Sequence, residues 1–321
     1  MVYPIDASLG AYDTSNGLSG TYIPEIWSGK LIEKFYLATV FAAISNTDYE
    51  GDITAYGDKV QIRTVPDITI NDYEVGQSLN YERPRSDNVE LLIDQGKYYG
   101  VAINSVEQKQ ADVDYVSKWA EDASEQMKIS IDSDILGDVY SDVHSSMAGI
   151  VAGAITGRVD LGAAGTNGDA AETLSNTTII PKIIECGQCL TENNVPQTNR
   201  WFVLPAWAAS RIKTSELSEA SYAGDGVSML RNGRIGVIDS FELFVSNNVA
   251  SEAEGTATLY HLIFGHKSAL TFASQLTENE LIDNPDDFGK LMRGLQVYGY
   301  KVIKDTAIGH LIADEGAITA N

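Results

Sequence analysis

The chain has 321 residues, 44% hydrophobic and 21% charged, enough for one large or two modest domains with a substantial core. Its 22 Lys and Arg stand against 45 Asp and Glu, a net charge of −23 that repels phosphate backbones and argues against affinity-driven nucleic-acid binding. Two cysteines exclude a disulfide framework.

Nothing at Met1-Val2-Tyr3-Pro4-Ile5-Asp6 resembles a basic region followed by an apolar stretch, so no signal peptide is expected. No apolar run reaches the ~20 residues of a membrane helix, so a soluble protein of a reducing compartment is expected, with no membrane partner.

Residues 1–22, rich in Gly, Ser, Asn and Tyr, read as an extended arm. A short amphipathic helix follows, with Pro24 at its start and Ile26, Trp27, Leu31, Ile32 and Phe35 at helical spacing. A long hairpin-like excursion comes next. Its outgoing arm, Lys59 to Val65, alternates and stops at Pro66; its return runs from Val89 to Ile93 and on through Tyr98 to Ile103. The polar stretch between, Asp67 to Asn88, is too long for a compact domain and predicts a loop ordered by a neighbouring subunit.

Residues 105–147 carry the strongest helical signal: Tyr115, Trp119, Ala123, Met127, Ile131, Ile135, Val139, Val143 and Met147 recur every four residues. Four-residue spacing drifts about 40° per step, so the stripe winds and needs several partners or a bend near Gly137. Ten acids against three bases predict an anionic outer face on an element spanning roughly 60 Å if continuous.

Gly149 to Asp169 reads as a domain boundary. Beyond it come a helix over 179–190, a buried strand from Arg200 to Pro205, a helix over 206–213, an Asn-Gly hairpin over 230–235, and strands over 241–246, 258–264 and 269–273. The closing run Phe288 to Ile303 is apolar on both faces, Leu295 and Val297 on one and Tyr298, Tyr300 and Val302 on the other. It therefore belongs inside a sheet covered on both sides.

No catalytic constellation emerges. Cys186-Gly187-Gln188-Cys189 is a C-x-x-C, but it falls late in a helical run, where the dipole cannot lower a thiol pKa. As half a zinc site it would need ligands from His144, His261, His266 or His310; His261 and His266, five apart on a strand, point to opposite faces. Ser210-Arg211-Ile212-Lys213 lacks the companion motifs of an S-x-x-K enzyme, and Asp132-Ser133-Asp134 lacks the third ligand of a calcium loop. No enzyme activity, cofactor or metal is expected.

The order of elements, together with five blocks of wording, resembles the major capsid (coat) proteins of tailed bacteriophages, the Johnson fold. The blocks are Gly57 to Arg63; Asn194-Val195-Pro196 with Arg200 to Pro205; Ile235-Gly236 leading to Phe241 and Ser246-Asn247; Phe264 to Ala269; and Phe288 to Ile303. The resemblance spans roughly 57–305 and implies an α+β fold. Residues 1–36 would be the N-terminal arm and short helix, and 37–147 the peripheral domain with extended loop (59–103) and spine helix (105–147). Residues 148–284 would be the axial domain, and 285–321 the return strand with a C-terminal tail. It further implies self-assembly, as hexamers and pentamers, into an icosahedral virion shell around double-stranded DNA, formed in the bacterial host cytoplasm. A separate scaffolding protein and a portal are the expected partners. On that basis Arg63, Asp72, Glu74, Arg83 and Arg85 are candidate intersubunit contacts, because guanidinium groups favour bidentate carboxylate pairing. A nanocompartment shell around a cargo enzyme is the nearest alternative, and a C-x-x-C thiol oxidoreductase a more distant one.

Overall fold

The computed structural model describes residues 39–48, 59–66, 68–86, 88–105, 109, 115–164, 171–215, 236–254, 257–285 and 287–316. The expected arm, the helix after Pro24, the hairpin over 230–235 and nearly all of 106–114 lie outside the described residues.

A four-residue helix α1 (Phe41–Ile44) precedes a two-stranded ribbon, β1 (Lys59–Arg63) antiparallel to β2 (Asn88–Leu92). The return arm then changes sheets. After Ile93 and Asp94 it continues as β3 (Gln95–Asn104), which pairs not with the ribbon but with β11 (Gly289–Val302). On its other side β11 pairs with β10 (Leu270–Asp283), giving a three-stranded antiparallel sheet with β11 at the centre.

Central placement gives β11 two covered faces over its second half. Tyr298, buried, and Tyr300 face helix α2 (Tyr115–Asp138), while Val297 packs with Ile62, Leu91, Ile93 and Ala273 of the ribbon side. Gly299 permits that contact, since a Cβ there would collide with the Leu92 carbonyl oxygen. Over the first half the outer face is open. Leu295 is 37% exposed and Phe288, in the turn before the strand, 85%, so coverage on both sides holds only toward Val302.

The spine helix ends before the expected 147: its described α-helical part, Tyr115–Asp138, stops beside Gly137, and at 1.5 Å per residue that part is roughly 36 Å long. The chain proceeds through two 3-10 turns, Val139–Asp142 and Ser145–Met147. Burial of the stripe is confined to the later part: Ile131, Ile135, Val139 and Met147 are buried, whereas Trp119 is 40% exposed.

The anionic outer face is also only partly realised, because four of the acids bond to neighbouring elements. Tyr298 donates to Asp134 Oδ2 (2.9 Å), Tyr300 to Asp138 Oδ2 (3.1 Å) and Lys301 to Asp142 Oδ2 (2.7 Å), while Lys97 of β3 pairs with Asp134 at 2.6 Å. Four residues of helix advance roughly 6 Å and two residues of strand roughly 6.8 Å, so acids at i and i+4 meet tyrosines at i and i+2. A helix lying along a strand thus accounts for the four-residue step from Asp134 to Asp138.

Asp132, fully buried, is the fourth. Its Oδ1 accepts from the backbone N–H groups of Val40 and Phe41, both at 2.9 Å, supplying the N-terminal cap that α1 lacks locally. Its Oδ2 accepts from Asn248 Nδ2 at 2.7 Å. One carboxylate thus joins α1, the spine and the turn at Asn248.

The remaining elements build a seven-stranded sheet: β4 (Glu172–Leu174), β12 (Ile308–Glu315), β9 (Ala257–His266), β5 (Arg200–Leu204), β7 (Phe241–Val245) and β6 (Val237–Ile238) in that order, with β8 (Ser251–Glu254) also on β9. Helices α3 (Ile179–Glu192) and α4 (Ala206–Lys213) flank it. β5 is buried at every residue, and Phe202 stacks on Phe264 (5.5 Å) and meets Phe241 edge-on (5.7 Å). Arg200, buried, donates to the carbonyls of Gly187, Val195 and Pro196, where the α3 dipole is negative.

Two segments cross the expected boundaries. β10, placed by the sequence reading at the end of the 148–284 unit, belongs to the three-stranded sheet. The supposed C-terminal tail contains β12, buried from Ile308 to Ala313 and lying between β4 and β9.

The candidate intersubunit surface

Beyond the Arg63–Asn88 pair the ribbon loses its ladder. From Thr64 to Ser86 the described chain has no regular structure. A few local bonds shape it: Ser86 Oγ donates to the Thr64 carbonyl (2.5 Å) and Thr69 N–H to Glu82 Oε1 (2.7 Å). At the tip, Glu74 N–H donates to Gln77 Oε1 (3.1 Å) and Gln77 N–H to the Glu74 carbonyl (3.1 Å), with Gly76 at φ 94°. The loop has a defined course but no core of its own.

All five contact candidates, Arg63, Asp72, Glu74, Arg83 and Arg85, are exposed here, and none makes an ion pair among the described residues. Arg63 lies at the ribbon's end, Asp72 and Glu74 near the tip, and Arg83 and Arg85 on the returning side; the structure does not gather them into one cluster.

The sequence reading missed the loop's apolar side chains. Val65, Ile70, Val75 and Tyr81 are each at least 85% exposed, and Ile68, Tyr73 and Leu79 more than half. Isolated exposed ion pairs contribute about 0–1 kcal/mol, whereas burying one such apolar side chain contributes about 1.5–3 kcal/mol. Per residue, covering these apolar side chains would therefore stabilise a contact more than pairing the arginines would. The available signal was Ile68-Thr69-Ile70 and Tyr73-Glu74-Val75, apolar alternation set among charges.

A second exposed face lies on the three-stranded sheet, opposite the spine. Tyr98 (83% exposed) and Leu295 sit side by side in register with Glu278, next to the Arg293–Glu280 pair, whose Nε–Oε2 distance is 2.8 Å. Arg293 holds the Glu280 carboxyl below its ordinary pKa through that hydrogen bond and its charge.

The cysteines support no thiol chemistry. Both are buried in α3; burial pushes the Cys186 thiol well up and that of Cys189 to about 12, so neither is a thiolate near neutrality. His261 bonds His310 and His266 bonds Ser268, on separate faces of β9. Among the described residues no group of three or more His, Cys, Asp or Glu is arranged to hold a metal, and no helix is long and apolar enough to cross a membrane.

No family model and no curated protein matches the sequence. Solved structures do. One from Mycobacterium phage Che8 is similar over 91% of this chain and 97% of that one, with 26% identity and a TM-score of 0.71. The capsid of cyanophage P-SCSP1u is similar over 92% and 94%, at 13% identity and a TM-score of 0.69. The capsid of a native GTA particle is similar over 96% and 100%, at 11% identity and a TM-score of 0.63. Ribbon, spine, three-stranded sheet and seven-stranded sheet therefore stand together in an arrangement shared with these solved structures over nearly the whole chain, and this chain has the fold of phage capsids.

Proposed function

We propose that the chain is the subunit of an icosahedral shell around double-stranded DNA, assembled in a bacterial host from hexamers and pentamers with a scaffolding protein and a portal. The observation that carries this reading is the loop from Thr64 to Ser86, which exposes seven large apolar side chains and has no core of its own. In the shell, the loop of each copy lies on the open sheet face of a neighbour, near Tyr98 and Leu295. Arg63, Arg83 and Arg85 meet acids of the adjacent subunit, and Asp72 and Glu74 meet bases. The net charge of −23 keeps packaged DNA from adhering to the wall. The subunit needs no catalytic group for this role. Purified protein mixed with its scaffolding protein, at salt sufficient to screen that charge, is expected to form closed particles in negative-stain images. Persistent monomers under those conditions would refute the proposal.

A further inference from the structure

His261 and His310 lie on one face of the antiparallel β9–β12 pair, diagonal neighbours in a register that sets His261 opposite Ile312. Both are buried, at 6% and 7% exposure, and His261 Nδ1 lies 2.9 Å from His310 Nε2. Tyr140, from the 3-10 turn that follows the spine helix, covers both rings. Its ring centre is 4.3 Å from His261 and 5.0 Å from His310. Where the spine ends and the seven-stranded sheet begins, the contact is thus a stack of three rings containing one imidazole–imidazole hydrogen bond.

We infer that this histidine pair is an acid-sensitive fastener between the end of the spine and the seven-stranded sheet. The bond requires one ring nitrogen to donate and the other to accept, so it forms only while one of those two nitrogens is unprotonated. Of the charged side chains around it, Glu252 of β8 acts on His261, its Oε2 lying 3.9 Å from Nε2, and His261 in turn acts on His310. Tyr140 presents an uncharged ring from the turn. A first proton settles on His261 Nε2, facing Glu252, and leaves Nδ1–H donating to His310. A second proton on His310 Nε2 sets two donors face to face and breaks the bond beneath Tyr140.

Burial lowers the affinity of both rings for protons, that of His310 to a pKa of about 3. The unfolded chain binds these protons near pH 6.5, so stability is complete above that value. It declines as pH falls, by close to tenfold in the folded-to-unfolded ratio per pH unit for each ring still unprotonated.

The test is urea unfolding of the unassembled full chain between pH 7.5 and 5.0, comparing wild type with His310→Gln and Glu252→Gln; His266→Gln gives the background of the other buried-side histidine. His310→Gln should flatten the profile by about tenfold per unit below pH 6. Glu252→Gln, an exposed change that leaves the stack intact, should steepen it, because His261 loses the carboxylate that favours its proton. A His310→Gln profile parallel to wild type would overturn the inference. Should that variant fail to fold, a Glu252→Gln profile superimposing on wild type would overturn it equally.

Discussion

Replacing Asp132 tests how the short helix α1 and the Asn248 turn are held to the spine. Four hydrogen bonds end on this one buried carboxylate, from Val40, Phe41 and Asn248 at 2.9, 2.9 and 2.7 Å and a long one from Ser246 Oγ at 3.5 Å. Asp132→Ala removes both acceptor oxygens and leaves the buried Val40 N–H unsatisfied. A hydrogen bond to a charged group contributes about 1.5–3 kcal/mol, but part of the sum is offset by no longer burying the charge, so the expected net loss is about 3–5 kcal/mol. Asp132→Asn keeps Oδ1 for Val40 and Phe41 and sets an amide donor against Asn248 Nδ2, which should cost about 1–3 kcal/mol. Urea unfolding of the unassembled chain gives the two losses. Hydrogen exchange at Val40 and Phe41 separates the variants, since only Asp132→Ala should deprotect both amides. A loss for Asp132→Ala within about 0.5 kcal/mol of zero, the range of ordinary surface changes, would refute the reasoning.

Three further outcomes are expected. Arg83→Glu should leave the unassembled subunit folded with unchanged melting but lower the yield or thermal stability of particles; unaltered particles would make Arg83 an ordinary surface charge. Tyr298→Phe should cost about 1–2 kcal/mol in urea unfolding, because Asp134 retains Lys97, and a loss above 4 would show that the ladder acts as one cooperative network. Gly299→Ala should lift the ribbon from the sheet, seen as faster amide exchange in Asn88–Leu92, whereas wild-type protection there would disprove the close approach to Leu92.

The two faces of the closing strand were legible because alternation is a local property: Val297 and Tyr298 had to point apart whatever lay above them. The helix was legible in its stripe but not in its limits. The α-helix ends at Asp138 beside Gly137, and the step of four from Asp134 to Asp138 becomes meaningful only against a strand with a repeat of two. β12 was missed because Ile308 to Ala313 is a short apolar run interrupted by Gly309 and His310, with partners in β4 and β9 that are distant in sequence. Likewise, nothing local distinguishes Asp132 from the other acids of its helix. In the loop, reading for charge drew notice to Arg63, Asp72, Glu74, Arg83 and Arg85 and away from Val65, Ile70, Val75 and Tyr81, whose exposure is apparent only once the chain is seen to offer them no cover.

That exposure bears most directly on shell formation. Hydroxyl-radical footprinting of unassembled subunits and of closed particles, read at Tyr73, Leu79, Tyr81 and Tyr98, measures whether a neighbour covers the loop and the open sheet face. Strong labelling of all four in free subunits and marked protection in particles is the predicted result. Equal labelling in the two states would contradict the account, because the loop would then remain bare in the assembled shell.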